Sequence, residues 1–354
     1  MLIGKNATPE FAWKGVTDSL RHGATGNPWG AGLTSGGSSG GAATAVGLAM
    51  GAWSVGTDGG GSVRIPAAFT GTVAFKGTYG LVPMYPSSPY GTLAHAGPMT
   101  RNVTDAAVML DVLARPDDRD WSALPAPAHS FADQLDGGVR GLRIAFAPTL
   151  GFDVSNHPEV DHAVREAVDV LADAGAQVEE TDPGIIDPVD AFHVLWFAGA
   201  AKVLEAYGEG ALDRVDPGLR AAVERYALSA TASDYLDATA VRMDLGRRMG
   251  AFHRDFDVLL MPTMPVPAFP IGSQAPEGWP DQLWTSWTPY TYPFNMTQQP
   301  ALSVPCGLTA DERPVGLQVV GPRHADALVL RVGYAYESRT AWHDAVPTLL
   351  RGQH

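Results

Sequence analysis

Two glycine–serine clusters constrain this chain more than any other feature. The stretch "TSGGSSGGAATAVGLAMGAWSVGTDGGGSVRIPA", from Thr34 to Ala67, carries "GGSSGG" and "DGGGS" on either side of an apolar run, Ala42 to Gly56. Alone, the first cluster reads as a flexible linker and the second as a tight turn. A linker needs no buried helix beside it, and a helix needs no second cluster. Gly36, Gly37, Gly40 and Gly41 let the chain turn sharply into a helix, while Gly59, Gly60 and Gly61 place amides without side chains directly before Ser62.

Successive amides aimed into one concavity bind an anion, and charge developing on a carbonyl oxygen needs such preorganised donors. Ser62 is then a candidate nucleophile, but a hydroxyl attacks only when a base takes its proton. His22 and His95 are the histidines nearest in sequence, and neither context supports a Ser–His–Asp arrangement. The other solution is a serine relayed to a neutral lysine through a second hydroxyl, Ser38 or Ser39. A phosphate cradle would need a lysine just after the glycine run, and Lys76 has the wrong spacing. No HExxH or carboxylate-rich metal motif is present, so neither metal nor cofactor is expected.

The stretch "GGSSGGAATAV…GTDGGGSVRIPAAFTGTVAFKGTYGLVP" resembles the amidase signature family. The likeness extends back to "GKNATPEF…HGATGNPW" and forward to "GPMTRNVTDAA", "YPFNMTQQPALSVPCG" and "PVGLQVVGP", nearly the whole chain. The resemblance implies hydrolysis of carboxylic amides, and some esters, through a Ser–Ser–Lys triad. Ser62 would form the acyl-enzyme, and Ser38 would be the bridging serine on a cis peptide bond. The amides of Gly59, Gly60, Gly61 and Ser62 would make the oxyanion hole, braced by Ser39, Thr57, Asp58 and Arg64. Glu10, Phe11 and Ala12 would line the substrate pocket. Trp287, in the aromatic-rich loop with Trp279, Trp284, Tyr290 and Tyr292, is read as either loop packing or the wall of an apolar or aryl pocket.

The family's lysine lies farther upstream of the first serine cluster than the 37 residues available before Ser38. Lys5, Lys14 and Lys76 match other positions. The expectation is a single amidase domain over residues 1–354 that lacks the N-terminal part of the family fold, through a misplaced start, a fragmentary gene or true loss of the base. Amide hydrolysis with and without an upstream extension tests this, and the chain as written is expected to fold poorly or to be nearly inactive. The runner-up is a glutaminase-type subunit of a tRNA-dependent amidotransferase; a non-catalytic remnant is a third reading.

Composition narrows the partners. The 354 residues carry 24 Lys and Arg against 38 Asp and Glu, a net charge of −14, and no basic run. Phosphate neutralisation needs clustered cations, which argues against a nucleic-acid partner, and a small-molecule amide substrate is expected. Cys306 is the one cysteine, which removes a disulfide framework, reads as a small core residue and points to the cytoplasm. The broken apolar run does not suit a membrane span. A homodimer is the expected assembly.

The element pattern implies an α/β fold: a mixed, largely parallel twisted central sheet covered by helices on both faces. "LIG" (2–4) reads as the end of a buried strand and Ala42–Gly56 as a buried helix. Gly141–Pro148, the amphipathic helix His157–Gly175 and "AQVEET" form a strand–helix–strand unit. A helical insertion covers about residues 190–255. "DVLLMPT" is a buried strand, "PALSVPCG" and "PVGLQVVGP" form a hairpin, and "ADALVLRVGYAYESRT" is the last helix.

Overall fold

A computed structural model describes residues 3–351. Two small antiparallel hairpins precede the first serine cluster: β1 (Asp18–Ser19) with β2 (Gly23–Ala24), and β3 (Gly26–Asn27) with β4 (Gly30–Thr34). α1 (Gly40–Gly47) and β5 (Ser54–Asp58) follow. The apolar run is therefore not one helix to Gly56. Ala49 takes φ 54°, which ends the helix, and the run leaves as a strand. Next come α2 (Arg64–Thr70), β6 (Val73–Lys76), β7 (His95–Thr100) and α3 (Val103–Leu113). Asn102 caps α3 by accepting the Asp105 N–H.

The strand–helix–strand unit forms as its pattern requires: β8 (Arg143–Phe146), α4 (Pro158–Asp173) and β9 (Gln177–Glu180), with the two strands parallel. The α4 stripe of Val160, Val164, Ala167, Val168 and Leu171 is buried. The helical insertion is α5 (Val189–Glu205), α6 (Pro217–Tyr226) and α7 (Ala232–Phe252). β10 (Val258–Pro262), the single turn α8 (Pro293–Met296), β11 (Ala301–Leu308), β12 (Pro314–Val320) and α9 (Asp326–Glu337) complete the order.

Eight strands make one sheet in the order β5-β7-β6-β11-β12-β10-β8-β9. The sheet is mixed, but five of its seven neighbour pairings are antiparallel. The expectation of a largely parallel sheet holds only for β10-β8-β9, because only there does a helical crossover return the chain in the same direction. The expected strand at the start does not form: Ile3 is exposed and outside any strand, and Leu2 lies outside the described residues.

Two apolar layers flank the sheet. Along β10, Leu259 and Met261 face a layer with Phe192, Trp196 and Phe294, whereas Val258 and Leu260 face one with Val164, Leu171 and Leu330. This period-two alternation sends the insertion to one face and α3, α4 and α9 to the other. No helix among the described residues is long and apolar enough to cross a membrane.

Candidate active site

Both serine clusters lie at turns that lead into helices. The Gly37–Ser38 peptide is cis, and Ser38 immediately precedes Ser39, the residue before α1. Ser39 ties the clusters together. Its N–H donates to the Ser62 carbonyl (3.1 Å), and its hydroxyl lies 3.2 Å from both the N and the O of Thr57. Of the two relay candidates, Ser39 is thus occupied as a brace, while the Ser38 hydroxyl makes no hydrogen bond among the described residues.

The second cluster is shaped by a buried ion pair. Asp58 and Arg64 are fully buried and meet through two contacts, Nε–Oδ2 and Nη2–Oδ1, each 2.9 Å. Asp58 Oδ1 also accepts the Gly61 N–H at 2.7 Å, and Oδ2 the Val63 N–H at 3.3 Å. Arg64 donates further to the Thr291 carbonyl, Gln318 Oε1 and Asn295 Oδ1, at 2.9, 2.8 and 2.7 Å. Asn295 donates back to the Asp58 carbonyl at 2.8 Å. Burial pushes the Asp58 carboxyl up, but the Arg64 charge and hydrogen bonds outweigh it and hold it far below the usual carboxylate range. The pair is satisfied on every side, which a buried charge requires.

This network decides which amides are free. The Gly61 N–H is committed to Asp58 and cannot also serve an oxyanion, so the expected set loses one member. The N–H groups of Gly59, Gly60 and Ser62 have no partner among the described residues, although all three residues are buried. A Cβ on Gly59 would stand 2.5 Å from Trp196, and one on Gly60 would stand 2.7 Å from Trp284. Glycine is required there because indole rings occupy the space a side chain would take.

Ser38, Thr57, Gly59 and Ser62 line one cavity of about 250 Å³. Its other walls are Phe11, Ala12, Met84, Ser88, Pro89, Tyr90, Ala94, Trp196 and Val203. Tyr90 stacks on Trp196 with centroids 4.1 Å apart, and its hydroxyl donates to the Phe11 carbonyl at 3.0 Å. Burial pushes the Tyr90 phenol up, so it stays protonated. No lysine, histidine or carboxylate is in this lining.

Two expected pocket residues lie elsewhere. Glu10 accepts the Asp216 N–H at 2.7 Å and so fixes the start of α6. Trp287 is fully buried against Phe69 and Phe269 and donates to the Gln274 carbonyl, so the packing reading holds for it. Sequence reasoning missed Met84, Tyr90, Trp196 and Val203. Trp196 and Val203 look like core positions of a helix, and Tyr90 sits in a loop with no motif; only tertiary placement turns them toward the serines.

The remaining candidates are accounted for by structure. Lys14 pairs with Asp18 and, at 2.9 Å, with Asp216. Lys76 is fully buried, donates to the Gly77 and Gln299 carbonyls, and is pushed down to about 7 by burial and by the Arg64 charge. His95 sits in the same network, with Nδ1 on the Leu93 carbonyl, and burial holds it well below the usual histidine range. Cys306 is half-buried at the edge of the core, and desolvation pushes its thiol up, so it stays protonated. The described residues contain no group of three or more His, Cys, Asp and Glu able to hold a metal ion.

The family profile described as Amidase matches residues 1–330. The chain belongs to the amidase signature family. It is 37% identical to an acylamidase of Rhodococcus erythropolis, over 98% of this chain and 74% of that protein. It is also 37% identical to the A-subunit of the glutamyl-tRNA(Gln) amidotransferase of Chloroflexus aggregans, over 99% of this chain and 76% of the relative. Among solved structures, a bacterial aryl acylamidase of the amidase signature family superposes with a TM-score of 0.87 at 30% identity, covering 96% of this chain and 73% of that one. As an amidase, the chain is a hydrolase that acts on non-peptide carbon–nitrogen bonds of an amide substrate.

Proposed function

We propose that this amidase cleaves amides with an apolar or aryl acyl group through an acyl-enzyme on Ser62. Ser62 Oγ attacks the carbonyl carbon, and its proton passes to Ser38. The oxygen of the tetrahedral intermediate is held by the free N–H groups of Gly59, Gly60 and Ser62. The C–N bond then breaks, the relay returns the proton to the departing ammonia or amine, and water attacks the ester to release the acid. Ser39 and Thr57 brace the two turns; Asp58, paired with Arg64, holds the second by accepting the Gly61 N–H. One observation carries the reading: Ser38 and Ser62, whose hydroxyls have no hydrogen-bond partner among the described residues, line the same cavity as Gly59, and the main-chain N–H groups of Gly59 and Ser62 are likewise unpartnered. The group that takes the proton from Ser38 is not in that lining, and general-base help is worth about 10²–10⁴ in rate.

The aromatic walls favour an acyl or aryl amide over glutamine, since no charged side chain lines the cavity to meet an α-ammonium or α-carboxylate. The likeness to amidotransferase subunits keeps the second reading open to test. A fluorophosphonate probe and a pair of substrates, an aryl acylamide and glutamine, separate the two. Labelling at Ser62 with preference for the acylamide is expected; glutamine preference supports the amidotransferase reading, and absence of labelling overturns the serine mechanism. The lone cysteine and the net charge of −14 favour a cytoplasmic enzyme with a small-molecule partner. A homodimer is the assembly we expect, checked by light scattering.

A further inference from the structure

We propose that the cleft between α7 and the segment Met296–Gln299 is a binding site for a small organic oxyanion with an apolar body. The cleft holds about 600 Å³. Arg242 and Arg323 supply its charge, and no Asp or Glu is in its lining, although the whole chain carries −14. The Arg242 guanidinium donates only to neutral groups: the Met296 carbonyl at 2.6 Å, and the Thr92 hydroxyl and carbonyl at 2.6 and 3.0 Å. Three of its five N–H groups are thereby used and two remain. Arg323 is exposed and makes no hydrogen bond or ion pair among the described residues. Burial disfavours the Arg242 charge, and nearby Arg323 adds like-charge repulsion. Two guanidiniums facing one cleft without a counter-charge are the arrangement an anion relieves.

The rest of the cleft suits a body attached to that anion. Met243, Met249 and Met296 give polarisable apolar walls. Gly246 and Gly250 leave open space, with nothing within 4 Å of a Cβ placed on either. Gln299 is 2% exposed, lines the cleft, and its Oε1 has no hydrogen-bond partner. An unmet buried acceptor costs free energy, and a ligand N–H or O–H removes that cost. His253 adds no charge: its Nε2 lies 2.9 Å from the Gln299 amide nitrogen, a donor, and its Nδ1 lies 3.0 Å from the Phe256 carbonyl.

Benzoate, phenyl phosphate and, as a neutral control, benzyl alcohol are titrated by calorimetry into the wild-type chain, Arg323→Gln and Gly246→Leu. Arg323 and Gly246 lie outside the lining of the nucleophile cavity, and Gly246→Leu removes the space without removing charge. Binding of either anion, with benzyl alcohol much weaker and about tenfold loss in Arg323→Gln (about 1.4 kcal/mol), supports the site; the tighter anion identifies the head group. Equal anion affinity in all three proteins means that the anion sits elsewhere, including the nucleophile cavity, and overturns the proposal. No anion binding in the wild type also overturns it. Amide hydrolysis, assayed separately, is expected to persist in both variants, so loss of this site and loss of the catalytic reading are distinguishable.

Discussion

The turn from β5 to α2 and the β8–α4–β9 unit are both strand-to-helix connections, built by opposite logic. The β8–α4–β9 unit is local and tolerant: an apolar stripe every three or four residues packs on a sheet, and one side chain contributes only its own burial. The β5–α2 turn is non-local and exact in shape. Asn295 and Gln318 reach Asp58 and Arg64 across 237 and 254 residues of sequence, and indole rings abut glycines on the same turn. Periodicity builds a layer, whereas a reactive turn needs buried charges that are mutually satisfied and backbone that nothing crowds.

The largest effect is expected from breaking the buried pair. Asp58→Asn leaves Arg64 buried without its counter-charge; destabilisation of about 3–5 kcal/mol is expected in a denaturant titration. Gly60→Ala puts a Cβ 2.7 Å from Trp284 and 2.8 Å from Phe192, neither of which can yield within its packed cluster. Its cost should fall on kcat, by about 10²–10³, because a donor proposed for the oxyanion is displaced. In the other region, Val164→Ala removes fully buried methyl groups of α4. A loss of about 2 kcal/mol in stability with kcat unchanged is expected; a matching fall in kcat would dissolve the contrast between the two regions.

A pH measurement sharpens it further. Lys76 sits at about 7 in the fold against 10.5 when unfolded, so between those values the unfolded chain holds a proton that the folded chain has released. This contribution makes stability rise with pH through that window and level off outside it. The urea midpoint of the wild type should therefore fall as pH drops from 10 to 7, and that of Lys76→Met should fall less. Equal slopes in the two proteins would show that Lys76 is not the group that titrates. Smallest of all, Asp244→Ala on the exposed side of α7, where Asp244 pairs with Arg247 and Arg248, should leave the melting temperature unchanged.

Legibility in the sequence follows the same division. The α4 stripe, the hairpin of β11 and β12 and the insertion helices were readable because each is written in neighbouring residues. The serine clusters were readable because glycine is a costly choice wherever it is not needed. The proportion of parallel strands was not readable, because antiparallel neighbours such as β6 and β11 are far apart along the chain. Nor was the role of the aromatic loop, open between packing and a pocket wall: Trp287 lies among core rings and Trp284 against Gly60.

The sequence by itself determined that two glycine-lined turns would carry Ser38 and Ser62, that a βαβ unit would extend the sheet, and that the chain carries no basic run. Local backbone freedom, side-chain period and charge count suffice for these. Only the tertiary structure decided that the Gly61 amide belongs to Asp58, that Tyr90 and Trp196 wall the cavity in place of Glu10 and Trp287, and that Arg242 and Arg323 share a cleft. Each depends on which distant segments meet, and the free energy of those meetings resides in close packing and paired charges that no short stretch of chain encodes.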